Sequence, residues 1–349
     1  MKANTLVILT PGFPADENDG SSVTFPQIFT RNLKVLNPAL NIIVLAFQYP
    51  FTDEPYKWHG VNVIPFNGRN KGKLNRLLIW KAVWTTLKKI MSENHVIGFL
   101  NLWLGECALI GKYASKKYHV KNYTWLLGQD AKKNNKYFSL LGPKPEMLIA
   151  LSDFISDEFF KNFKIRPART IPPGIDKKMF TALPFNRTID IMGAGSLIPL
   201  KRYDLFIELI SKMVKIKPGL VSIICGEGID HNKLQELITV NKLQDHIHLV
   251  GKVSHQEVLN FMRSTKIFLH PSSYEGFSTV CCEALYSGAH VVSFCKPMHK
   301  DFDHFHIVET EKDMQHNLEE LLQDPSLDHT GVITYPIEEI CEKVLSLYQ

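Results

Sequence analysis

The sequence predicts an α/β protein of two parallel-sheet domains, and three observations carry that expectation. Short apolar runs rich in branched residues alternate with longer amphipathic stretches, which is the pattern of βαβ units. The alternation is interrupted near mid-chain by a segment rich in proline and then starts again. The 349 residues, at an ordinary 45% apolar content, also exceed the roughly 250–300 at which one hydrophobic core stops growing.

In the first half the strand-like runs are Thr5 to Thr10, Ile42 to Ala46, Val61 to Pro65, Val96 to Leu100 and Asn122 to Leu127. In the second half they are Ile189 to Gly193, Leu220 to Cys225, Ile247 to Val250, Ile267 to His270 and His290 to Phe294, each followed by helical periodicity. Between the two sets, the prolines and glycine of the segment from Arg166 to Phe180 punctuate the chain rather than propagate structure. Domain boundaries are therefore expected at 1–170 and 171–335.

Charge divides along the same line. Residues 1–170 hold 23 Lys and Arg against 12 Asp and Glu, a net +11, which leaves 17 against 23, a net −6, for the remainder. A basic half beside an acidic one suggests that the first half faces something anionic, such as a membrane surface or an acidic polymer. The stretch Lys71 to Ile90 sets Leu74, Leu77, Trp80, Trp84 and Leu87 at helical spacing among Lys71, Lys73, Arg76, Lys81, Lys88 and Lys89. Such a helix either lies on an anionic bilayer or packs its stripe on its own sheet.

The six cysteines show no CxxC pairing and no His partners at zinc spacing, so they read as reduced, mostly buried thiols. Leu6 to Leu9 is too short for a secretory apolar region, and no run reaches the ~18 predominantly apolar residues of a membrane span. A cytoplasmic protein is expected, with peripheral attachment at the inner face of the membrane as an open variant.

The chemistry concentrates in the segment His270 to His290, which runs from a buried strand through a Gly-bearing turn into a helix. Ser278 suits the N-cap of that helix and Gly288 its C′ position. A helix starting at the carboxyl end of a parallel strand offers N–H groups and a positive pole to an anion. Glu275 precedes the helix and Glu283 lies in its second turn; side chains lean toward the helix N-terminus, so both carboxylates can reach one crevice. Carboxylates only accept hydrogen bonds, which suits sugar and ribose hydroxyls.

Pro271-Ser-Ser-Tyr-Glu-Gly-Phe277 followed by Glu283-Ala-Leu-Tyr-Ser-Gly288 resembles the E-x7-E signature of the retaining GT4 glycosyltransferases. The resemblance extends to Gly195-Ser-Leu-Ile-Pro-Leu-Lys201, to Cys225-Gly-Glu-Gly228, to the base-flanking loop Leu249-Val-Gly-Lys-Val253, and to Ile171-Pro-Pro-Gly-Ile-Asp176 between the domains. It implies a GT-B fold, two Rossmann-like domains facing each other across a cleft, with the acceptor bound by the first and the nucleotide-sugar donor by the second. It also implies that a helix from residues 336–349 crosses back to the first domain.

Residue by residue, the resemblance gives Glu275 to the donor sugar, Glu283 to the ribose and Lys201 to the diphosphate. Gly276, Phe277, Ser278 and Thr279 would frame the donor at the helix start, with Ser196, Arg202, Gly226 and Val253 in the neighbouring loops. Ser196 stands where the family carries arginine and Arg202 where it carries glycine. Leu127-Gly-Gln-Asp130 stands where it carries H-G-x-D, so Asp130 is a candidate for catalysis and a turn residue otherwise. Gly20, in the loop Thr10 to Ser22, could let the backbone approach the donor phosphates, or the loop could be plain acidic surface. Asn101, Trp103 and Glu106, at a strand end and helix start, admit either an acceptor contact or a buried capping role.

The reaction expected is transfer of a hexosyl group from a nucleotide-diphosphate sugar to a glycan or lipid-linked acceptor in cell-surface polysaccharide or glycolipid synthesis, with configuration retained. No metal or other cofactor is expected, because no acidic D-x-D cluster of the metal-bound kind lies near the end of a predicted strand, and no nucleic-acid partner. The rivals are a UDP-sugar epimerase of the same architecture and a non-catalytic sugar-nucleotide-binding partner. An NAD-dependent dehydrogenase fits worse, since Gly193-Ala-Gly195 is followed by Ile198 where a third glycine or alanine is needed.

Overall fold

The computed structural model describes residues 3–17, 19, 24–180 and 186–349. The chain forms two compact units, one of Met1–Gly174 with Ile337–Gln349 and one of Ile175–Pro336. The crossings fall at 174/175 and 336/337, against the expected 170/171 and 335/336. Within the second unit, the Ile175 N–H donates to the Tyr335 carbonyl at 2.8 Å, so its two ends lie side by side.

The first unit runs β1 (Asn4–Gly12), α1 (Thr24–Leu36), β2 (Asn41–Tyr49), β3 (Tyr56–Trp58), β4 (Val61–Pro65), α2 (Lys73–Glu93), β5 (His95–Leu102), α3 (Glu106–Tyr118), β6 (Lys121–Leu126), α4 (Tyr137–Leu141), β7 (Leu148–Ala150), α5 (Asp153–Phe163) and β8 (Arg169–Thr170). Its sheet has the order β3-β4-β2-β1-β5-β6-β7-β8 and is parallel except for the β3–β4 pair. Leu6, Val7, Ile8 and Leu9 of β1 have no exposed surface on either face, which is why a central parallel strand reads as an unbroken apolar run.

The C-terminal helix (Ile337–Ser346) belongs to this first unit. It packs on α1, and beyond its end Tyr348 is buried, donating to the Phe99 carbonyl at 2.9 Å while its ring meets that of Tyr123 edge-on.

The second unit runs β9 (Ile189–Ala194), α6 (Tyr203–Ile216), β10 (Ser222–Cys225), α7 (His231–Val240), β11 (Ile247–Gly251), α8 (His255–Arg263), β12 (Thr265–His270), α9 (Thr279–Tyr286), β13 (His290–Ser293), β14 (Phe305–Ile307) and α10 (Glu311–Gln323). Its six strands are parallel in the order β11-β10-β9-β12-β13-β14. Counting within the unit, that is third, second, first, fourth, fifth, sixth, the doubly wound order whose direction reverses between β9 and β12. Loops leaving two neighbouring strands in opposite directions open a crevice at their carboxyl ends, where such sheets bind ligands.

Candidate active site

Two loops flank that reversal. The one after β9 ends in a 3₁₀ turn, Pro199–Lys201, and the one after β12 leads through Glu275 to α9. They bring Lys201 Nζ and Glu275 Oε1 into direct ionic contact, each side chain 18% exposed. His270, the last residue of β12, lies under the pair. Its Nε2 is 3.5 Å from Glu275 Oε1 and 3.3 Å from Ser278 Oγ, and its Nδ1 is 2.9 Å from Ser293 Oγ.

A carboxylate only accepts, so the ring proton belongs on Nε2, and Nδ1 accepts from the Ser293 hydroxyl. Burial pushes the His270 pKa down, against the pull of Glu275, so the ring is neutral at pH 7 and Lys201 is the cation. For Glu275, burial alone would raise the pKa; the His270 hydrogen bond and the Lys201 charge outweigh it and bring it to about 2. A small cavity is lined by His270, Glu275, Ser278 and Ser293 together with Cys281, Cys295 and Phe305.

Glu283 lies inside α9 with 5% of its surface exposed, and its Oε1 is 2.8 Å from Nε2 of His255 at the start of α8. Gly288 follows the end of α9 at φ +79°, as a C′ glycine should. Ser278 occupies the N-cap position, yet its hydroxyl does not cap the helix and turns to His270 instead. Gly276 and Phe277 are buried, the Phe277 ring meeting Tyr335 edge-on, so at Phe277 only the backbone remains for a ligand; Thr279 opens α9 half-buried. Ser196 is exposed at the turn after β9, and Val253, half-buried after β11, packs on the core two residues before His255.

Arg202 directly follows Lys201 at the end of the 3₁₀ turn. Arg202 has a left-handed backbone (φ +52°), the conformation for which glycine is suited, and its guanidinium pairs with Glu311 and lies over the Phe294 ring. Asp130 belongs to the first unit. Its carboxylate accepts from the backbone N–H groups of Leu104, Leu127 and Gly128 at 2.9, 3.1 and 2.8 Å, and burial raises its pKa. Those bonds make it the residue that shapes the turn after β6. Gly20 lies outside the described residues.

In the first unit, Asn101 is fully buried and donates to Asn122 and to the Tyr123 carbonyl, a core role. Trp103 is half-buried with φ +64°. Glu106 is buried and accepts from Gln48 and from Trp80 Nε1, with Arg76 Nε 3.4 Å away. The apolar stripe of α2 divides: Ile79, Val83, Leu87 and Ile90 are buried, with Trp80 and Trp84 packed beside them, whereas Leu74, Leu77 and Leu78 are exposed by 80, 58 and 65%.

Sequence reasoning missed His255 and His270. His270 adjoins the quoted Pro271 and His255 lies two residues past Val253, but no spacing rule links positions 28 apart; only the fold makes His255 and Glu283 neighbours.

Residues 175–330 match the profile of the family described as glycosyl transferases group 1. A human phosphatidylinositol N-acetylglucosaminyltransferase subunit is 34% identical over 125 residues, 35% of this chain and 26% of that protein. An uncharacterized glycosyltransferase of Methanocaldococcus jannaschii is 27% identical over 183 residues, 50% of this chain and 49% of that one. The GtfA subunit of the UDP-N-acetylglucosamine–peptide N-acetylglucosaminyltransferase from Streptococcus agalactiae is 29% identical over 143 residues, 40% of this chain and 28% of that one. The matched segments thus span about a quarter to a half of the curated relatives' length.

Among solved structures, a Staphylococcus aureus TarM mutant in complex with Fondaparinux, α-GlcNAc-glycerol and UDP superposes with TM-score 0.71 at 14% identity, covering 100% of both chains. Anabaena HepE in complex with UDP and glucose superposes with TM-score 0.71 at 14% identity, covering 99% of this chain and 98% of that one. The fold is theirs.

Proposed function

We propose that this chain, whose residues 175–330 match the glycosyl transferases group 1 profile, is a glycosyltransferase taking a hexosyl group from a nucleotide-diphosphate sugar. The observation that carries the reading is the Lys201–Glu275 pair beside the strand-order reversal, with Glu283 in the helix that follows. UDP-sugars are the donor class best supported, since UDP or a UDP-sugar is named for several proteins this chain is similar to.

The physical task is to hold a departing diphosphate while positive charge grows on the sugar. Lys201 and the amides opening α9 supply fixed positive potential for the first; Glu275, ionised at any physiological pH, supplies negative potential for the second. Without a ligand the two charges satisfy each other. A diphosphate would compete for Lys201 and leave Glu275 free to accept from sugar hydroxyls. Configuration is retained in this reading: the acceptor attacks from the face the diphosphate leaves, and a departing phosphate oxygen takes its proton. Lys201 does the neutralising work that a metal does in other transferases.

The acceptor in this reading is a glycan or a lipid-linked sugar bound by the basic first unit, and the exposed leucines of α2 support attachment to an anionic membrane from the cytoplasmic side.

The test is thermal denaturation against UDP, GDP, ADP and their sugars. A ligand that binds only the native state raises the melting temperature. One nucleotide diphosphate should stabilise the wild type, and Lys201→Ala and Glu283→Ala should abolish the shift. Variants that keep the full shift would overturn the assignment.

A further inference from the structure

We propose that His255 is a positioning residue for nucleoside recognition: it holds Glu283 so that the carboxylate can take the vicinal diol of a ribose. The inference rests on the donor-site reading above and extends it to a residue outside the recognised motifs.

The geometry has three parts. Glu283 is nearly sealed inside α9, and a buried carboxylate needs hydrogen bonds to replace its lost water and to hold one orientation. His255 Nε2 lies 2.8 Å from its Oε1; because the carboxylate can only accept, that nitrogen carries the proton and His255 donates. The imidazole is itself mounted rigidly. His255 is the first residue of α8, directly after Ser254, whose side chain accepts from the Glu257 N–H while the Glu257 carboxylate accepts from the Ser254 N–H, a reciprocal cap that fixes the turn.

The pair therefore ties the loop after β11, which carries Val253, to the helix after β12. A nucleoside bound at the carboxyl edge of the sheet would meet both. A carboxylate offers about four acceptor positions, of which His255 uses one, so capacity for a diol remains. A histidine that merely fastened α8 to α9 would affect every nucleotide alike. A positioning histidine affects only those with a diol.

The experiment is calorimetric titration with UDP and with 2′,3′-dideoxy-UDP, which lacks the diol. Wild type should prefer UDP by about tenfold or more, the scale of hydrogen bonds to a charged group. His255→Ala should lose most of that preference, weakening UDP and leaving the dideoxy analogue unchanged. His255→Gln, which keeps an N–H at the position of Nε2, should restore most of it. In transfer assays His255→Ala should raise the donor KM more than it lowers kcat.

An unchanged preference in His255→Ala, an equal loss for both nucleotides, or failure of the Gln variant to restore it overturns the proposal. If Glu283→Ala abolishes the preference and His255→Ala does not, only the positioning role falls. If wild type binds no UDP, GDP or ADP, the donor-site reading falls and this inference with it.

Discussion

At Gly226 the backbone has φ +148°, and a Cβ would lie 1.9 Å from the Gly195 carbonyl oxygen, while the Gly226 N–H donates to the Gly251 carbonyl at 2.8 Å. The loops leaving β9, β10 and β11 are locked together there. Gly226→Ala must therefore push apart the turn that carries Lys201. A loss of about 2–4 kcal/mol is expected, from a backbone ill-suited to a side chain and a contact with nowhere to relax. Thermal unfolding checks it, and a variant that melts with the wild type would show the packing to be unimportant.

Residues of this kind were partly legible in advance. Glu275 and Glu283 stand out from the turn and helix punctuation around them, and Lys201 from the resemblance of Gly195 to Lys201 to the GT4 turn. For Asp130 the sequence left catalysis and a turn role open, because its partners are backbone N–H groups, which a sequence does not display. Arg202 has a left-handed backbone and a side chain that pairs with Glu311, neither of which its sequence displays.

Among the elements, α2 departs most from its expected form. Its buried positions, Ile79, Val83, Leu87 and Ile90, recur every three or four residues and pack on the sheet, which explains the helix. They do not explain Leu74, Leu77 and Leu78 in its first two turns, left in solvent beside exposed Lys71 and Lys81. Apolar side chains ringed by cations suit the boundary of an anionic bilayer. Replacing the three leucines with serine should cut co-sedimentation with phosphatidylglycerol-containing vesicles several-fold and leave the melting temperature within a few degrees, since none is buried. Equal vesicle binding by the variant would remove α2 from the account. Of the strands, β3, β7, β8 and β14 went unseen, because segments of two or three residues are too short to show a period.

For the whole molecule, two parallel-sheet domains were legible because the βα alternation stops and restarts around one proline-rich segment, and charge changes sign there. That the second sheet reverses strand order between β9 and β12 was not legible, because strand order depends on which edge each crossover joins. The reversal is the reason Lys201 and Glu275, 74 residues apart, meet. The most direct measurement is a crystal structure of the protein with UDP bound. The account predicts the diphosphate within hydrogen-bond reach of Lys201 Nζ, with its contact to Glu275 loosened, and the ribose hydroxyls on Glu283. Nucleotide seated elsewhere, for example in the groove lined by Arg202, Glu208, Leu237 and Asn241 with the Lys201–Glu275 pair untouched, would contradict it.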